Sequence, residues 1–138
     1  MSWIDQDFPA AVGHHEITSE TDDNYNCIAW AANNSSEWWS NLPGYKWPGR
    51  RTSLIEGLVT VFTSLGYEIC KSSDFEDGFE KVAIYVRNGM WRHAARQLPS
   101  GKWTSKLGPD EDIEHDTPEC LCGKSYGKIH CIMRKAKS

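Results

Sequence analysis

The sequence lacks a basic surface and long apolar runs, and both absences exclude classes of partner. Its 138 residues include 15 Lys and Arg against 19 Asp and Glu, which gives a net charge of −4. Without an excess of positive charge, the chain is not predicted to bind nucleic acid or an anionic membrane. Its apolar stretches fall well short of the roughly 18 residues that a membrane-spanning helix needs. We therefore expect neither nucleic acid nor membrane as a partner.

The sequence also lacks the even, dense cysteine spacing of a secreted disulfide framework. The five cysteines lie at positions 27, 70, 120, 122 and 131. The N-terminus carries the acidic residues Asp5 and Asp7 in place of the basic and apolar regions of an export signal. These features predict free thiols and a cytoplasmic location, while secretion as an effector stays open. The oligomeric state is not predicted.

A metal site is not expected among the C-terminal cysteines. Cys120 and Cys122 are separated by one residue, whereas zinc knuckles use two or more. His130 and Cys131 are adjacent on a predicted strand, so their side chains should point to opposite faces. We expect no metal and no cofactor.

The hydrophobic pattern predicts a single α+β domain over residues 1–138, with an irregular lead-in at 1–22. Asn24 and Asn26 are capping residues for a first helix over 27–32. Apolar residues at helical spacing predict a second helix, which is capped by Thr52 or Ser53 and stops at Gly66.

Beyond residue 66 the apolar residues alternate, which predicts short antiparallel strands. The expected strands cover 67–70, 79–86, 90–98, 102–107 and 127–133. Asn88-Gly89 is a hairpin turn signal between the second and third of them. The acidic segment 110–115 is expected to form a helical turn. Both helices should pack on one side of the resulting sheet.

Cys27 is the strongest candidate for a catalytic residue, because it begins the first predicted helix. The backbone N–H groups and positive end of a helix stabilise a thiolate, so we expect Cys27 to be the most reactive of the five thiols. His93, inside a predicted central strand, would be its base. A polar group within residues 104–106, on the next strand, would orient the imidazole.

This order of a Cys-led helix, a His strand and a polar next strand resembles the papain-like thiol hydrolases, including the bacterial NlpC-type peptidases. The strings that carry the resemblance are Tyr25-Asn26-Cys27-Ile28-Ala29-Trp30-Ala31, His93-Ala94-Ala95-Arg96-Gln97, Gly101-Lys102-Trp103-Thr104-Ser105-Lys106-Leu107-Gly108, Asp112-Ile113-Glu114-His115 and Tyr126-Gly127. Some domains of this group are toxin-like modules. The resemblance implies N-terminal helices packed on an antiparallel β-sheet meander, and a cysteine hydrolase that acts on an amide, peptide or isopeptide bond of a peptide or protein substrate. Deamidation and acyl transfer remain open.

The third residue of the site has several candidates. In papain the orienting Asn begins an Asn-Ser-Trp-Gly string, and the matching stretch here begins at Ser105 and ends at Gly108. The resemblance therefore implies Ser105. Strict alternation from His93 favours Thr104 or Lys106 instead, and the following turn offers Asp112 or His115.

A second reading of the sequence is a non-catalytic binding module on the same fold. The chain has seven Trp, and Trp38, Trp39 and Trp47 occur in a loop rich in Pro and Gly. Such a loop could present an exposed aromatic recognition surface, although packing of these rings in the core is the default expectation. In this reading Cys27 is an inert helix residue.

Overall fold

The computed structural model describes residues 3–18, 25–32, 38–41, 45–47, 51–107 and 111–137. Its helices are α1 (Trp3–Asp7), α2 (Cys27–Ala31) and α3 (Ile55–Ser64), with short 3-10 turns at Pro9–Ala11 and Pro118–Leu121. Its strands are β1 (His15–Ile17), β2 (Glu68–Cys70), β3 (Phe79–Arg87), β4 (Met90–Gln97), β5 (Trp103–Lys106), β6 (Asp112–His115) and β7 (Lys128–Ala136). None of the described helices is long and apolar enough to cross a membrane.

The strands form one seven-stranded antiparallel sheet in the order β1-β6-β5-β4-β3-β7-β2. The hairpin between β3 and β4 turns at Asn88 and Gly89, whose φ angles are 53° and 77°. Two successive residues with positive φ make the type of turn that matches the twist of the flanking strands. The predicted α+β class, the antiparallel sheet and this hairpin are confirmed.

Three predictions about local structure are wrong. The N-cap of α3 is Leu54, which makes no side-chain capping hydrogen bond, and not Thr52 or Ser53. Within the lead-in at 1–22, residues 3–17 contain α1, a 3-10 turn and the edge strand β1. The acidic segment expected as a helical turn contains strand β6, which pairs with β1 on one side and β5 on the other. Pairing on both sides satisfies the backbone of β6, and it outweighs the low strand propensity of the acidic residues.

The sheet has a hydrophobic cluster on each face, because successive residues of β3 point in opposite directions. Val82, Ile84 and Val86 pack with α2 and α3 on one face, called here the helix face. Ala83 and Tyr85 pack on the other face, where α1 and the two 3-10 turns cover them. The two predicted helices thus share one side of the sheet, while the unpredicted α1 covers the opposite side, called here the back face.

Candidate active site

Cys27 is the first residue of α2, and Asn26 caps the helix. The Asn26 side-chain oxygen accepts a hydrogen bond from the Ala29 N–H at 3.2 Å, and its amide nitrogen donates to the Trp39 carbonyl at 2.5 Å. Both ends of the Asn26 amide are therefore engaged in holding the helix start. Asn24, the other predicted capping residue, lies outside the described residues.

The Cys27 thiol is neutral in the resting protein. Burial raises its pKa to about 11, although the backbone N–H groups of Ala94 and Ile28 and the charge of Lys106 act in the opposite direction. The expectation that the helix start would lower this pKa is wrong, because the loss of hydration outweighs the few N–H groups that a five-residue helix offers. At neutral pH the thiol therefore keeps its proton unless a base removes it.

His93 is a fully buried residue of β4. Its ring stacks on Tyr126, with centroids 4.2 Å apart and planes inclined by 3°, and it also contacts the ring of Tyr85. Burial lowers the pKa of His93 well below its usual value. The imidazole is therefore neutral at pH 7 and has one ring nitrogen with a lone pair.

A chain of hydrogen bonds links His93 to two further residues. His93 Nε2 lies 3.0 Å from Ser105 Oγ, and Ser105 Oγ lies 2.8 Å from His115 Nε2. His115 Nδ1 lies 2.8 Å from the carbonyl oxygen of Thr117. Ser105 and His115 are both buried. The structure therefore brings two of the candidate third residues into one chain with His93.

Strand register explains why Ser105, and not Thr104 or Lys106, reaches His93. Arg96 on β4 pairs with Thr104 on β5. Since side chains alternate along a strand, Ser105 lies on the opposite face from that pair, which is the face of Ala95 and His93. The expectation that Thr104 or Lys106 would share a face with His93 is therefore wrong by one residue in the register between β4 and β5.

The remaining candidates for the third residue contact α2 or the residue just before its cap. Thr104 Oγ1 accepts a hydrogen bond from the Trp30 indole at 3.0 Å. The Lys106 ammonium lies over the Tyr25 ring, 5.1 Å from its centroid, and the Tyr25 hydroxyl donates to Asp112 at 2.6 Å. Thr104, Lys106 and Asp112 thus face the helix side of the sheet and do not join the His93 chain.

The side chains of Cys27 and His93 lie near the same short stretch of β4, but on opposite faces of the sheet. The thiol is contacted by the backbone N–H of Ala94, the residue that follows His93. Cys27 packs against the cluster on the helix face, whereas the His93 ring stacks on Tyr126, which belongs to the cluster on the back face. Within the described part of the chain, no hydrogen bond joins the two side chains, and His93 Nδ1 is buried without a hydrogen-bond partner.

The other sequence expectations concern tryptophans and metals. Trp39 and Trp47 are buried at 4% and 7% exposure, and Trp47 stacks on Trp91. An exposed recognition surface is therefore wrong for these two residues, which belong to the core; residues 42–44 and 48–50 of the same loop lie outside the described residues.

All five cysteines are free thiols. Among the described residues, no three His, Cys, Asp or Glu side chains are grouped to hold a metal.

Tyr126 and Thr117 are the neighbours of the site that sequence reasoning missed. Tyr126 belongs to one of the strings that carry the family resemblance, but the sequence alone did not indicate that its ring would stack on His93. Thr117 contributes a backbone carbonyl, and a backbone atom leaves no side-chain pattern to detect.

Comparison with known proteins identifies the family of the chain. Residues 16–134 match the family described as Domain of unknown function (DUF7689), and the chain belongs to that family. No curated protein and no solved structure matches it.

Proposed function

We propose that this protein is a cysteine hydrolase of the papain-like type. Cys27 is the nucleophile, His93 is its general base, and Ser105 orients the imidazole. The substrate is an amide, peptide or isopeptide bond of a peptide or protein. One observation carries the proposal: Ser105 engages Nε2 of His93, while Nδ1 of the same buried ring has no hydrogen-bond partner among the described residues.

The thiol lies next to the strand that carries His93, on the other face of the sheet. The Cys27 thiol is contacted by the backbone N–H of Ala94, the neighbour of His93 in β4. Catalytic hydrogen bonds are often long or poorly aligned before substrate binds, and they tighten in the complex. Because Cys27 packs on the helix face and the His93 ring on the back face, the pair would form only if substrate binding brought the thiol past the β4 backbone to Nδ1.

The proposed reaction has two steps. Nδ1 of His93 takes the thiol proton as the Cys27 sulfur bonds to the acyl carbon, and the C–N bond breaks as that proton moves to the departing amine. Water then attacks the thioester, which releases the carboxylic acid and returns the proton to the sulfur. Each step is balanced without a metal or redox cofactor.

The pKa values favour proton transfer during the attack over a resting ion pair. Burial raises the pKa of Cys27 to about 11 and lowers the pKa of His93, so the resting pair is a neutral thiol and a neutral imidazole. The backbone N–H groups of Cys27 and Ile28 also contact the thiol. At the helix start they are suited to bind the oxyanion that develops on the acyl group beside the sulfur, and such donors contribute about 3 kcal/mol each in acyl-transfer sites.

Acylation by p-nitrophenyl acetate tests the proposal without a known substrate. The active ester should leave an acetyl group on Cys27, which mass spectrometry of tryptic peptides locates. Cys27→Ala should lose the adduct and the release of nitrophenolate that accompanies it, while Cys70→Ala, a control at another partly buried thiol, should keep both. Equal release from the wild type and from Cys27→Ala would reject Cys27 as the nucleophile.

A further inference from the structure

We propose that His115 is a positioning residue that sets the tautomer of His93 through the Ser105 hydroxyl. The catalytic use of this tautomer rests on the proposed function, whereas the tautomer itself follows from the hydrogen bonds alone. It follows from the donors and acceptors along one hydrogen-bond chain, whose far end is a backbone carbonyl.

The Thr117 carbonyl fixes the direction of the chain, because a carbonyl oxygen can only accept. His115 Nδ1, 2.8 Å away, must therefore be the N–H that donates to it. A neutral imidazole has a single N–H, so His115 Nε2 is left as an acceptor. Ser105 Oγ lies 2.8 Å from that nitrogen and must donate its proton to it.

The Ser105 hydroxyl in turn fixes which nitrogen of His93 carries the proton. Ser105 has one hydroxyl proton, and His115 receives it, so the Ser105 oxygen can only accept from His93 Nε2 at 3.0 Å. His93 must therefore carry its proton on Nε2. Nδ1 is then the nitrogen with the free lone pair, which is the form that a base for Cys27 needs.

Both histidine rings are buried enough to stay neutral at pH 7. His115 is 1% exposed and His93 is 0% exposed. Burial is the largest cause that lowers the pKa of each, to about 4 for His115 and well below the usual value for His93. At neutral pH each ring therefore has one proton to place.

Ser105 alone would not select a tautomer. A hydroxyl can donate to a bare Nε2 as readily as it accepts from an Nε2–H. In the first case the His93 proton would sit on Nδ1, and the base would be blocked. His115 removes this ambiguity because it takes the Ser105 proton, and the Thr117 carbonyl in turn removes the ambiguity of His115.

Two amide substitutions separate the two ends of the His115 ring. In His115→Gln the side-chain oxygen can occupy the Nε2 position and accept from Ser105. In His115→Asn the amide can still donate to Thr117 near the Nδ1 position, but it is too short to accept from Ser105. The control is substitution by Asn of His130, an exposed histidine that takes no part in these hydrogen bonds.

Imidazole 15N NMR reads the tautomer directly, because protonated and bare ring nitrogens resonate far apart. In the wild type we expect His93 protonated on Nε2 and His115 protonated on Nδ1. His115→Gln should preserve the His93 tautomer, while folded His115→Asn should shift His93 toward the Nδ1–H form. A wild-type His93 protonated on Nδ1, or a His93 tautomer unchanged in folded His115→Asn, would overturn the inference. The wild-type spectrum decides even if the Asn variant does not fold.

The acetylation rate of Cys27 supplies the functional readout. It should be lower in His115→Asn than in His115→Gln by about fivefold to tenfold, the effect of one hydrogen bond of ordinary strength. If the tautomers behave as expected but Cys27 is never acetylated, the proposed function fails while the role of His115 stands. If Cys27 is acetylated at equal rates in both variants and the His93 tautomer is unchanged in His115→Asn, the role of His115 fails while the proposed function stands. Equal rates with a shifted tautomer would reject His93 as the base and leave the role of His115 intact.

Discussion

The His93 imidazole lies flat against the phenol ring of Tyr126, with centroids 4.2 Å apart and planes inclined by only 3°. Tyr126 is held in place by a turn that is closed by reciprocal backbone hydrogen bonds of 2.8 Å between Gly123 and Gly127. The stack restrains the plane of the His93 ring, and Ser105 holds one edge of it. These two contacts leave the ring little freedom to rotate.

Removal of the Tyr126 ring should loosen His93 and slow acetylation of Cys27. Tyr126→Ala is expected to lower the free energy of unfolding by about 2 kcal/mol, since the ring is half-buried and stacked. Tyr126→Phe keeps the stacking surface and should cost about 1 kcal/mol or less. Urea unfolding and the acetylation rate measure the two effects. Equal acetylation in Ala and Phe variants would show that the stack does not position the ring.

The turn that supports Tyr126 should not tolerate a side chain at Gly127. Its φ is +78°, and a Cβ there would lie 2.1 Å from the Val86 carbonyl oxygen. Gly127→Ala should therefore cost about 3 kcal/mol or more, from backbone strain and a forced shift of β3 together. Gly78→Ala is the matched control, because Gly78 has φ +85° with nothing within 4 Å of the added Cβ. It should cost only about 1 kcal/mol in urea unfolding.

Ser105→Ala should reduce acetylation of Cys27 by less than Cys27→Ala does, while the protein stays folded. The substitution leaves ring nitrogens of two buried histidines without their shared partner, which should cost about 1 to 3 kcal/mol. Thr104→Val removes the neighbouring hydroxyl, which bonds Trp30 instead of His93. Thermal melts should show that both variants fold, and only Ser105→Ala should disturb the His93 tautomer. The opposite pattern would assign the third residue to Thr104.

The sequence predicted most of this architecture where the signal was local. The Asn88-Gly89 turn and the start of α2 at Cys27 are confirmed because each depends on a few adjacent residues. Strand β6 was missed because its stability comes from pairing with β1 and β5, which no local pattern reveals.

The candidate site shows the same division between local and distant information. Resemblance selected Ser105, which contacts His93, whereas simple alternation selected its neighbours because the register between β4 and β5 is a tertiary property. The direction of the Cys27 pKa shift could not be predicted from the sequence either. It depends on how completely the folded chain excludes water from the thiol, and a helix start alone does not determine that.

The protein should lose stability as the pH falls from about 6.5 to 4. The folded-state pKa of His115 is lowered to about 4, so in this window the unfolded chain binds a proton that the folded chain does not. Protonation then favours the unfolded state, and His115 alone should account for about 3 kcal/mol of the loss. Urea unfolding at a series of pH values measures the slope. His115→Gln should flatten it, whereas substitution of the exposed His130 by Gln should not.

The most direct test of the account is the rate at which p-nitrophenyl acetate acetylates Cys27 with and without His93. A general base contributes about 10² to 10⁴-fold, and the raised pKa of Cys27 makes the thiol dependent on one at neutral pH. We expect folded His93→Ala to acetylate Cys27 at least about 100-fold more slowly than the wild type at pH 7.5, and the difference to shrink as the pH approaches 11. An equal rate of Cys27 acetylation in the two proteins at pH 7.5 would contradict the proposed pairing of Cys27 with His93.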